Sequence, residues 1–70
     1  MSTYAERYEK IVDAFTREMY QQRSQSPQEM TDERWNRVKA KFPGSVRCCR
    51  ADVLNFHEDE IVSAAMREGQ

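Results

Sequence analysis

"TYAERYEKIVDAFTREMY", residues 3–20, carries the most regular pattern in the chain. At 100° per residue, Tyr4, Tyr8, Ile11, Val12, Phe15 and Met19 fall within about 100° of arc, the width of a core-facing stripe. Thr3 followed three places on by Glu6 is a capping box. The spacing therefore predicts an amphipathic helix over residues 3–22. Glu6–Lys10 and Asp13–Arg17 are favourable i,i+4 pairs, but at about 0.2–0.5 kcal/mol each they add little beside burial of the stripe. About two heptads of stripe are too few for a long coiled coil, so the rest of the chain has to supply what packs on it.

Downstream, "RSQSPQ", residues 23–28, reads as a polar linker. Two helix starts compete after it. Ser26-Pro27-x-Glu29 offers a cap, a first-turn proline and a capping glutamate. Thr31-Asp32-Glu33 offers a second cap, with acids where the helix dipole favours them. In the second register Met30 precedes the cap and Trp35 sits at N4, the spacing of a hydrophobic staple. That register predicts a helix over 31–42 with Trp35, Val38 and Phe42 along its apolar edge, ended by Pro43-Gly44. The C-terminal segment, 45–69, is read as helical. Ser45 is a candidate cap for "SVRCCRADVL", whose Val and Cys residues also tolerate an extended strand. Asn55 with Glu58 is a candidate cap for a last helix closing near Gly69. The predicted fold is all-α, a single domain of three to four short helices around the 4–19 stripe, Trp35, Val38, Phe42, Ile61 and Ala64.

Length and composition bound the rest. Seventy residues, 39% hydrophobic and 33% charged, make one domain near the size where a single core is barely sufficient. A mean hydropathy of -0.95 requires much of every element to face water. No stretch approaches the roughly 18 apolar residues of a spanning helix. The start has no apolar core of a secretory signal. Two cysteines without a disulfide framework point to a reducing, cytoplasmic setting.

Net charge is only -1, yet it is unevenly spread. Residues 1–33 carry -3, residues 51–70 carry -4, and residues 34–50 hold six basic side chains and no acid. Arg34, Arg37 and Lys41 share one helical stripe at i, i+3, i+7, and Arg47 and Arg50 extend the charge past the Pro-Gly break. These five are the candidate partner-binding residues, suited to phosphates or to an acidic protein surface. The competing interpretation is a solvated face neutralised within the fold by acids such as Asp52 and Glu58 to Glu60.

Cys48 and Cys49 are neighbours. Their Cα atoms stand about 3.8 Å apart, where a disulfide usually wants at least about 4.4 Å. With Asp52 and His57 they could be drawn as metal ligands, but no C-x2-C pair exists. Cys49, His57 and Asp52 could be drawn as a nucleophilic set, but neither a Gly-rich loop nor a nucleophile elbow accompanies them. No cofactor, metal or catalytic residue is expected, and one cysteine is read as a small packing group. The order helix, "PGS", helix has the outline of a helix-turn-helix, with Ala40 and Gly44 at the favoured offset. Ser45 and Arg50 then stand where a recognition helix needs apolar residues.

On the last helix Val62 and Met66 point away from the face shared by Val53, Leu54, Ile61, Ala64 and Ala65, which predicts self-association through them as a homodimer. The functional expectation is a small, non-catalytic regulatory or adaptor protein that binds another protein. The alternative is a nucleic-acid-binding regulator using the basic segment 34–50. The acidic flanks and a pI near 5.8 oppose that alternative.

Overall fold

A computed structural model describes residues 3–68. They form three helices, α1 (Tyr4–Ser24), α2 (Asp32–Lys41) and α3 (Pro43–Glu68), with no strand among the described residues. The fold is all-α. None of these helices is long and apolar enough to cross a membrane.

α1 starts where the capping residue places it, with the Glu6 N–H donating to Thr3 Oγ1 at 3.2 Å. It runs past the expected end, through Arg23 and Ser24, and closes on Gln25 in the left-handed region (φ 54, ψ 26). The linker is therefore 25–31, and it is tightly held. Gln21 Nε2 donates to the carbonyls of Ser26 and Gln28, Arg34 Nη1 donates to Gln28 O at 2.7 Å, and Arg17 Nη2 donates to Met30 O. The Ser26 start is not used; its hydroxyl accepts the Gln28 N–H inside the connector. Thr31 caps α2 by accepting from the Arg34 N–H. Met30 and Trp35 are buried in one cluster, as the staple spacing requires.

The Pro-Gly pair breaks α2 without making a loop. Phe42 serves both helices, its N–H donating to Val38 O and its C=O accepting from the Val46 N–H. Pro43 opens α3 at the position where a missing N–H costs nothing and a fixed φ helps. This corrects the Ser45 cap: the helix begins three residues earlier than that cap would place it, because Pro43 is itself the starter. The 45–54 stretch is helical, not extended. The helix-turn-helix outline also fails, since no turn separates α2 from α3.

α3 is interrupted at His57, whose backbone (φ -126, ψ 15) leaves the helical region. The break falls two residues beyond the expected Asn55 cap; Gly69 lies outside the described residues. His57 stacks on Phe15 with ring centroids 5.0 Å apart, and its Nδ1 lies 3.4 Å from Glu60 Oε1. Beyond the break the helix runs back along α1, so that Arg7 Nε donates to the Ala65 carbonyl.

Two apolar clusters result. Val12, Val53 and Ile61 form one, flanked by Tyr8, Ile11, Phe15, Met19 and Leu54. Met30, Trp35 and Val38 form the other, flanked by Tyr20 and Val46. Thr16 is also buried, its hydroxyl donating to Val12 O at 2.7 Å. Phe42 departs from expectation, being 46% exposed. The residue before a proline is pushed out of helical geometry, and its φ of -127 places it off the α2 edge. At the C-terminal end Ala65, not Ala64, is fully buried.

Candidate functional site

The basic run separates into three kinds of side chain. Lys39 and Arg50 are neutralised by α1: Lys39 Nζ lies 3.7 Å from Asp13 Oδ1, and Arg50 Nη2 donates to both oxygens of Glu9 at 2.9 and 3.1 Å. Arg34 is held by neutral groups, donating to Gln28 O and, at 3.3 Å, to Gln21 Oε1. Arg37, Lys41 and Arg47 are exposed, and none has an acid within ion-pair distance among the described residues.

Arg34, Arg37 and Lys41 are brought together. With Gln28, Val38 and Phe42 they line an open hollow of about 230 Å³ between the connector and α2. No Asp or Glu lines it. One end is rigid, because the Arg34 guanidinium is already oriented by the connector it pins. The other end is exposed and amphipathic, with Lys41 Nζ 5.8 Å from the Phe42 ring centroid. That arrangement suits carboxylates or phosphates accompanied by an apolar group. At this size it falls below the roughly 300 Å³ of small-molecule pockets and is better suited to a side chain or two.

Arg47 and Arg50 do not join the hollow; α3 starts directly after Phe42 and carries them elsewhere. Phe42 and Gln28 were not foreseen as its lining. For Phe42 the signal was present, since an aromatic directly before proline cannot stay on the helix edge. For Gln28 there was none, because its part is played by a backbone carbonyl.

The two cysteines take different environments. Cys49 is buried and Cys48 exposed, and both are free thiols. They border a hollow with Tyr20, Arg23, Ser24 and Ser45. Arg23 Nη1 donates to Cys49 Sγ at 3.8 Å, and its Nη2 lies 2.7 Å from Asp52 Oδ2. That Asp52 hydrogen bond is the main influence raising the Arg23 guanidinium above its ordinary range. Asp52 thus pairs with Arg23 and not with the basic stripe. Cys49 and Asp52 share one arginine, while His57 packs on Phe15. Among the described residues no three His, Cys, Asp or Glu side chains converge as a metal ion requires.

Val62 is half-buried and Met66 58% exposed. Among the described residues the most exposed large apolar side chain is Phe56, at 72%, just before the His57 break. Comparison with known protein families, known proteins and solved structures found no match for this chain.

Proposed function

We propose that this chain is a small, non-catalytic protein of regulatory or adaptor type that works in the reducing cytoplasm by binding another protein, with the hollow of Arg34, Arg37 and Lys41 as its docking surface. One observation carries this: three cations share a hollow with an exposed phenyl ring and no acid in its lining. Charge left unneutralised beside apolar surface favours an acidic partner that also offers something to bury. Arg47 extends the positive field at a distance, whereas Arg50 is occupied by Glu9. Homodimerisation belongs to the same picture, but Val62, one of the two residues expected to mediate it, is half-buried, so a surface other than the Val62–Met66 face can supply the contact.

The test is affinity capture from native lysate with wild type and with Arg37→Glu/Lys41→Glu, each with and without nuclease. Arg34 is left intact because it holds the connector. Both substituted residues are exposed, so circular dichroism and the melting temperature should not change. Capture that is lost in the variant and indifferent to nuclease is expected. Micromolar binding to random duplex with a log–log salt slope near -2.7, the value for about three phosphate contacts, would replace this function with nucleic-acid binding.

A further inference from the structure

We propose that the hollow on α2 receives the Phe56–Glu60 segment of a second copy of this chain, so that two copies dock reciprocally; this presupposes that the hollow is a docking surface. The hollow asks for carboxylates next to an apolar group, and the chain carries that combination on its own surface. Phe56 stands 72% exposed immediately before the break in α3. Glu58 and Asp59 follow it, both exposed, with no cation within ion-pair distance among the described residues. Glu60 is turned toward His57 and adds its charge from the side.

Within one copy the two surfaces do not meet. His57 fixes the segment against Phe15 of α1, and among the described residues no ion pair joins it to α2. A two-fold axis makes the contact twice, since the copy that lends its acids also lends its hollow. Exposed ion pairs alone are weak and screened by salt. The rings therefore have to contribute: Phe56 reaching the exposed Phe42 of the other copy would remove apolar surface from water while Arg37 and Lys41 meet Glu58 and Asp59.

Light scattering coupled to gel filtration, with sedimentation equilibrium at low and high salt, reads the assembly. Wild type should form a dimer that weakens as salt rises. Phe56→Ala should weaken it by about thirtyfold, the effect of losing a central aromatic anchor. Met66→Glu should leave it intact. Arg37→Glu/Lys41→Glu and Glu58→Lys/Asp59→Lys should each be monomeric alone, yet form a mixed dimer when combined, because the mixture contains one native and one charge-swapped contact. Restoration on mixing also excludes misfolding as the reason for either loss. A wild type that stays monomeric at high micromolar concentration overturns the proposal, as does a dimer that survives both charge reversals or depends on Met66 and not on Phe56. If wild type is monomeric while Arg37→Glu/Lys41→Glu still loses a captured protein, the second copy is excluded and the docking surface stands. If neither changes, both fall.

Discussion

The Val12–Val53–Ile61 cluster and the Met30–Trp35–Val38 cluster bury similar kinds of side chain, but their surroundings differ. The first is ringed by apolar groups from α1 and α3, and Thr16, buried on the same helix, is satisfied by its own backbone. The second has a polar rim. The Trp35 indole N–H donates to Asp13 at 3.0 Å, Arg17 takes the Met30 carbonyl and pairs with Asp32, and Gln21 and Arg34 together hold Gln28. The contrast follows from length. A 10-residue helix such as α2 is too short to persist alone, and its two buried side chains, Trp35 and Val38, leave its position underdetermined. Directional contacts to α1 supply the missing constraint.

The largest predicted effect breaks the apolar side. Ile61→Ala should cost about 2–5 kcal/mol, comparable to the ~5 kcal/mol total of a marginal small domain, and urea unfolding should lose its cooperative transition. A loss under ~1 kcal/mol would mean that packing of α1 on α3 contributes less to stability than the polar rim. Asp13→Ala attacks that rim by leaving the buried indole N–H without its acceptor, at about 1–3 kcal/mol. Fluorescence of Trp35, the single tryptophan, should shift before global unfolding. Asp13→Asn, which keeps a carbonyl acceptor, should recover most of the loss; equal damage from both would show that charge matters more than the hydrogen bond.

Two substitutions should stabilise. Gln25→Gly relieves a left-handed backbone at the entry to the connector and should gain about 1 kcal/mol, seen as a higher melting temperature. Gly44→Ala adds a methyl group that meets nothing within 4 Å. It should gain about 0.5 kcal/mol in the first turn of α3 without changing Trp35 fluorescence. A loss at Gly44 would point to a constraint at the α2–α3 joint.

What the sequence made legible tracks how one-sided each helix is. α1 has a single apolar face, so its stripe and Thr3 cap could be read directly. α2 was placed by its Thr31 cap and Met30–Trp35 staple. α3 resisted because its apolar residues point several ways and its inward face is set only after the break at His57. Val53 and Ile61 stand on opposite sides of that break, yet both reach the same cluster with Val12. Thr16 was passed over because its hydroxyl is satisfied inside the helix and so behaves as apolar volume. At the surface, the Arg34–Arg37–Lys41 stripe was visible from helical spacing alone. The neutralisation of Lys39 and Arg50 by Asp13 and Glu9 was not, since it depends on how α2 and α3 lie on α1.

The hydrogen bond from Arg7 to Ala65 spans 58 positions, whereas those from Arg17 to Met30 and from Trp35 to Asp13 span 13 and 22. Closing the longer loop costs roughly 1 kcal/mol more chain entropy. On loop entropy alone the α1–connector–α2 hairpin should assemble first, and the stretch after His57 should dock last. In stopped-flow experiments, truncating Trp35 or Val38 should slow refolding, while truncating Ile61 should chiefly hasten unfolding.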